Sequence, residues 1–197
     1  HGGDRVMALY QAGSRVDGAL LLDSQSTGTA SSVTFQEKFT ADYHTYLITA
    51  KSLQSADNWR LYMQLMVGAS PTTGNVYTST IAENIESTAG AGAWGTAAAP
   101  IGYWVCFSGA GDGTNEFVDC QIVISAPLVA AHYSSFVSDA SFKDDAAKNR
   151  WYRGSGQDIS TLASDGIKLY PNVGGSDQNW VSGGTFTLYA LPTGRTR

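Results

Sequence analysis

Charged side chains are few. Lys and Arg number 12 and Asp and Glu 17 among 197 residues, 15% together, and the net charge is −5. So little charge argues against a disordered tail, because disorder is sustained by high charge and low hydrophobicity, and hydrophobic residues here make up 43%. The acidic balance also argues against nucleic acid as a partner, since phosphate contacts need clustered Lys and Arg. The only dense basic stretch is Lys148-Asn149-Arg150-Trp151-Tyr152-Arg153. No apolar run reaches the roughly 18 residues of a membrane helix, which excludes insertion by that route. The opening HGGDRVM lacks the apolar core of a secretory signal. Met7-Ala8-Leu9 reads as a natural start, with residues 1–6 an upstream extension or the end of a processed product.

Cysteine is nearly absent too. Cys106 and Cys120 each fall in a strand-like run with a Gly-rich turn between them. They read either as a bridge across a hairpin or as two buried thiols. The second is favoured, because a disulfide scaffold carries more Cys in a smaller chain.

Catalytic signatures are missing. YRGSGQD has Arg153 where a nucleophile elbow needs its first Gly, and neither phosphate-binding glycine motif occurs. His1, His44 and His132 lie neither at helical ligand spacing nor beside a carboxylate cluster, so no metal site is expected of them. GDGTNEFVD gathers Asp112, Asn115, Glu116 and Asp119, oxygen ligands that would suit calcium. Phe117 stands where the EF-hand pattern needs Gly, and Asp, Asn and Gly suit a hairpin turn for backbone reasons alone. An acidic pair for glycoside hydrolysis is defined in space, which spacing along the chain does not give. The expectation is a protein without catalytic residues, cofactor or metal.

Turn signals and short β-branched or aromatic runs are what the chain does contain. SQSTGTASS, SADN, GASPTTGN, GAGDGTNE, GSGQD and PNVGGSDQN punctuate it at short intervals. Between them the clearest strands begin at Ala19, Ser32, Thr45, Trp59, Asn75, Tyr103, Phe117, Gly166 and Thr185. In the run from Trp59, Trp59, Leu61, Met63 and Leu65 share one face and Tyr62, Gln64 and Met66 the other. Phe186, Leu188 and Ala190 likewise oppose Thr185, Thr187 and Tyr189, after a glycine pair that would let the chain turn into the strand. YWVCF and FVDCQIVIS look like a pair. The fold class expected is all-β: an antiparallel, jelly-roll-like β-sandwich of about nine to eleven strands. One or two short helices at most are expected, the best candidate being SDASFKDDAAKNRWY with Ser138 as its cap. Residues 1–17 are read as an arm, 18–191 as one sandwich domain and 192–197 as a tail.

Aromatic residues are plentiful: five Trp, ten Tyr and seven Phe. Trp59 and Trp104 sit in strand runs and read as core. Trp94 stands alone in AGAGAWGTAAAPIG, residues 89–102, which reads as a long exposed loop, and Trp180 follows the turn GGSDQN. Each of these two rings has three readings: it stacks on a sugar or anchors in a partner, pins its own loop, or packs against another subunit.

The order of segments resembles small proteins of tailed bacteriophages. The matching stretches are MAL at Met7, STGTASSVTF at Ser26–Phe35, DYHTYLIT at Asp42–Thr49, SADNWRLYMQL from Ser55, CQIVISAP at Cys120–Pro127 and SGGTFTLYAL at Ser182–Leu191. Ala190 departs from the Gly usual there. The resemblance implies a virion structural protein with a jelly-roll-like sandwich, assembled in the host cytoplasm and displayed on the particle. The function expected is a tail-fibre or spike head that adheres to host-surface glycans, with other virion proteins as partners and a homotrimer as the natural form. A capsid decoration protein is the alternative, followed by a carbohydrate-active enzyme or a free lectin-like module.

Overall fold

A computed structural model describes residues 6–11, 14–55, 59–74, 76–85, 92–111, 113, 116–129, 132–143, 148–160, 162–181 and 183–192. They form β-strands and connecting turns, with no helix among them. In chain order the strands are β1 (Val6–Gln11), β2 (Ser14–Ser26), β3 (Val33–Phe35), β4 (Thr45–Leu53) and β5 (Trp59–Val67). Next come β6 (Ser70–Pro71), β7 (Tyr77–Ile85), β8 (Gly92–Ile101), β9 (Trp104–Ala110) and β10 (Val118–Ser125). The last five are β11 (Ser134–Lys143), β12 (Asn149–Asp158), β13 (Gly166–Val173), β14 (Ser176–Asp177) and β15 (Thr185–Leu191). The expected all-β antiparallel sandwich is the fold found.

One sheet has nine strands in the order β1-β2-β15-β4-β10-β11-β12-β7-β8. The smaller has β13 and β5 at its centre, flanked by β3 and β14 on one side and by β9 and β6 on the other. Residues 6–11 and 14–17, from the stretch read as an arm, contribute β1 and the start of β2 to the large sheet. Residues 193–197 of the expected tail lie outside the described residues.

The core lies between the sheets because period-2 patterning turns one face of each strand inward. On β5, Trp59, Leu61, Met63 and Leu65 join the main core while Tyr62 points to the far face, as the alternation predicts. On β10, Val118, Cys120, Ile122 and Ile124 are buried between exposed Asp119 and Gln121. Aromatic rings bridge the layers. Trp59 on β5 meets Phe107 at 4.9 Å between centroids and Trp180 at 5.5 Å, and Trp180 meets Phe186 of β15 at 5.5 Å. Trp104 of β9 likewise contacts Tyr77 at 5.1 Å and Phe136 at 4.9 Å. Such pairs add about 0.5–1.5 kcal/mol each beyond the area they bury.

Three expectations fail here, each for a physical reason. The helix over 138–152 is absent: Ser134–Lys143 is β11 and Asn149–Asp158 is β12, paired in unbroken register from Ser134↔Asp158 to Lys143↔Asn149. The inward positions of β11 are Ser134, Phe136, Ser138, Ala140 and Phe142, a strand alternation disguised by small residues. The loop over 89–102 is in large part β8, which pairs with β7 from Asn84↔Gly92 to Tyr77↔Ile101. Finally, β9 and β10 are not a pair, since β9 joins β5 in the small sheet and β10 lies between β4 and β11 in the large one. Their cysteines are free buried thiols. Burial pushes both thiols up, which keeps them protonated and unreactive.

The glycine pair before β15 serves contact instead of a turn. Neither Gly183 nor Gly184 has a positive φ. A Cβ on Gly184 would meet Leu53 Cδ2 and Ser52 O at 2.9 Å and Leu53 Cα at 3.0 Å, whereas one on Gly183 would meet nothing within 4 Å. Gly184→Ala is therefore expected to destabilise by about 1–3 kcal/mol through overpacking, and Gly183→Ala to leave the urea midpoint nearly unmoved. Equal effects at the two positions would show that the approach to Leu53 is not tight.

Candidate functional site

The outer face of the large sheet is ordered in rows, because residues opposite one another on antiparallel strands point the same way. One row is apolar: Val137, Val123, Leu47, Tyr189 and Leu21, on β11, β10, β4, β15 and β2. The row beside it is polar, with Arg153, Asp139, Gln121, Thr49, Thr187 and Ser24 running from β12 to β2. A third carries Trp151, Ser141 and Asp119. Between β10 and β4 the register slips at Val118/Cys120. Ser52 adopts φ 54° beside that slip, and its N–H donates to Asp119 Oδ1 at 2.7 Å. The irregularity thereby fixes one carboxylate on the face.

Small residues in the middle and large ones at the sides leave an open groove of about 560 Å³. Trp151, 43% exposed, borders it on β12, while Lys51 and Tyr189 line it from β4 and β15. Thr49, Gln121 and Ser141 lie between them with Asp119 and Asp139. From β12 to β4 is three strand spacings, about 14 Å, longer than a single sugar ring. Arg153 Nε lies 3.6 Å from Asp139 Oδ1, and both side chains are about half exposed, so the pair orients the carboxylate more than it stabilises the fold. Cys120 lines the groove, but its buried thiol, raised by burial and then by the Asp119 charge, offers no nucleophile.

An exposed indole next to carboxylates, a carboxamide and hydroxyls has the chemistry to hold a polyhydroxylated ring. The indole covers C–H surface while the polar groups exchange hydrogen bonds with hydroxyls. Asp119 and Asp139 stand diagonally across β10 and β11. Both are open to water and each already has a partner, in Ser52 N–H and in Arg153. Such carboxylates can accept further hydrogen bonds from a ligand's hydroxyls.

A second aromatic group lies on the outer face of the small sheet. Tyr62 and Tyr103 stack with centroids 3.8 Å apart and planes 13° apart. Tyr170 stands edge-on to Tyr62 at 5.8 Å, and the Lys168 ammonium lies 4.7 Å from the Tyr170 ring centroid.

Of the residues singled out in the sequence, Trp180 is 1% exposed, and its backbone N–H donates to Ala30 O at 3.0 Å. It pins its own segment into the core and has no free face for a glycan or partner, which corrects the contact reading. Trp94 lies on β8 with its Cα opposite Ala82, and its side chain lies outside the described part of the structure. His44 and His132 are exposed. Glu116 Oε2 accepts from Gly113 N at 2.6 Å, while Asp112 and Asn115 lie outside the described residues. Among the described residues no group of three or more His, Cys, Asp or Glu is arranged to hold a metal. Trp151 lies within the stretch 138–152 whose polar composition imitates a helix, which conceals its orientation in the sequence. The signal that finds it is the alternation of Trp151, Arg153, Ser155 and Gln157 with Tyr152, Gly154, Gly156 and Asp158, which turns the first set outward.

No family model matches the chain, and no curated protein does. Among solved structures, a chain from "Structure of infectious bursal disease virus Gx strain" aligns over 98% of this chain at 10% identity and a TM-score of 0.14. This chain spans about half, 48%, of that one. A likeness at that level carries no argument about fold or function.

Proposed function

We propose that this chain is a non-enzymatic adhesion domain on the surface of a virus particle, the head of a tail fibre or spike, working as a homotrimer that holds host-surface glycan. The observation that supports this reading is the groove on the large sheet, where the exposed Trp151 ring borders Asp119, Gln121 and Asp139 in about 560 Å³ of open space. The groove has room for more than one sugar ring and keeps its polar groups accessible to hydroxyls. The tailed-phage setting rests on the segment resemblance described under the sequence. A decoration protein bound to the capsid is the second reading, and the apolar row favours it. Leu21 and Val137 at its ends are 41% and 38% exposed, which suits a protein contact better than a sugar.

Binding of host polysaccharide fragments, measured by calorimetry, tests the first reading. Trp151→Ala is expected to weaken that binding about tenfold or more, as loss of an aromatic anchor does, while the folding free energy stays within about 0.5 kcal/mol. A wild-type protein that binds no glycan, or a Trp151→Ala protein that binds as well as wild type, defeats the groove as the binding site. Hundreds of copies per particle together with heat protection of capsids would favour the decoration protein.

A further inference from the structure

Among the described residues, Tyr62 and Tyr103 are placed unlike any other ring pair of the outer faces. Tyr62 projects from β5, and Tyr103 belongs to the turn between β8 and β9. Their centroid separation of 3.8 Å at 13° is closer than the usual 4.5–7 Å of aromatic pairs. Tyr62 is 2% exposed while Tyr103 is half-buried, so Tyr103 forms the outer layer of the stack. The adjoining Tyr62 phenol, with burial second, pushes the Tyr103 phenol up to about 12, so at neutral pH Tyr103 carries its proton. The neighbouring tyrosine contacts are edge-on: Tyr62 to Tyr170 at 89°, and Tyr43 to Tyr46 at 67° and 6.5 Å.

We propose that Tyr62 and Tyr103 form a site of oxidative modification, where a one-electron oxidant joins the two rings through their ortho carbons into an intrachain dityrosine. Each phenol gives up one electron and its hydroxyl proton and becomes a phenoxyl radical with spin at the ortho carbon. The new carbon–carbon bond forms by overlap of the two ortho p-orbitals, which point out of the ring planes, so face-on rings at short distance meet its geometric demand and edge-on rings do not. Each joined carbon then releases its hydrogen as a proton while the ring oxygen takes one up, restoring both phenols. The sum is two phenols giving one biphenol, two protons to solvent and two electrons to the oxidant. Tyr103 sits on a turn whose neighbours are held, with Gly102 O accepting from Gln64 Nε2 at 2.8 Å and Val105 N donating to Ser79 Oγ at 3.1 Å, so the two rings stay face to face. The link ties that turn to the central strand of the small sheet, a covalent staple in a chain whose two cysteines are free.

The test uses the whole chain at high dilution, illuminated with a ruthenium tris-bipyridyl complex and persulfate, which takes the two electrons and leaves as two sulfates. The expected product is a monomer lighter by two hydrogens, with blue dityrosine fluorescence and one cross-linked peptide pair containing Tyr62 and Tyr103. It is also expected to melt at higher temperature than the untreated protein, because the staple shortens the unfolded chain's reach. Tyr103→Phe keeps the ring and is expected to fold normally and lose the product; Tyr62→Phe does the same from the other side. Tyr133, the most exposed tyrosine of those described at 54%, is the control, and Tyr133→Phe is expected to retain the monomeric product. Illuminated wild type that gives no intrachain link, or links only between chains through Tyr133, overturns the proposal. So does an intrachain product that survives Tyr103→Phe.

Discussion

Replacing Trp180 by alanine is expected to cost about 3–5 kcal/mol of folding free energy, the range for truncating a buried large aromatic. The ring is closed in by Trp59 at an interplanar angle of 87° and by Phe186 at 64°, so its removal leaves a void between β5 and β15. Its segment is also anchored by backbone bonds on both sides: Trp180 N donates to Ala30 O, and Val181 N donates to Gln54 O at 3.0 Å. Those bonds restrain the segment from collapsing into the void, which places the cost toward the upper end. The urea midpoint reports it, provided the slope of the transition is unchanged. A midpoint shift worth less than about 0.5 kcal/mol would mean the ring is on the surface and would return Trp180 to the list of contact residues.

Leu188→Ala is expected to cost about 2–5 kcal/mol. Leu188 is wholly buried, opposite Ile48 of β4, in a strand with neighbours on both sides. Thr187, one residue earlier, faces outward, and its Oγ1 lies 3.1 Å from Ser24 Oγ. Thr187→Ala removes that exposed hydrogen bond, worth about 1 kcal/mol or less. A ratio of effects near one, measured in the same urea titration, would contradict the assignment of faces on β15.

The strands legible in the sequence are those whose inward residues are large. Trp59, Leu61, Met63 and Leu65, or Val118, Cys120, Ile122 and Ile124, announce period 2 plainly. β11 and β12 hide it because β9 lies close against them. A Cβ on Gly154 would meet Ser138 Oγ at 2.5 Å and Cys106 O at 3.0 Å, and Ser138 Oγ donates to that same Cys106 O at 2.8 Å. Only small inward residues fit there, so the apolar signal falls to the level of a loop or a polar helix. β8 is hidden by composition, since Ala, Gly and Pro carry little strand preference and make up most of GAWGTAAAPI. The groove was illegible for a related reason: Trp151, Asp119 and Asp139 come from three strands and meet only through register. Trp180 misled because it follows a turn, and a turn says nothing about where the next ring goes.

The position of β15 has a bearing on how the polypeptide acquires its shape. This strand is the last of those described yet lies between β2 and β4, which fall within residues 14–53. During synthesis those two remain open edges until residues 185–191 have left the ribosome, so completion of the large sheet is a late, long-range event. Slow folding, and a vulnerable interval in which unpaired backbone at β2 and β4 is exposed to aggregation, follow from that one insertion.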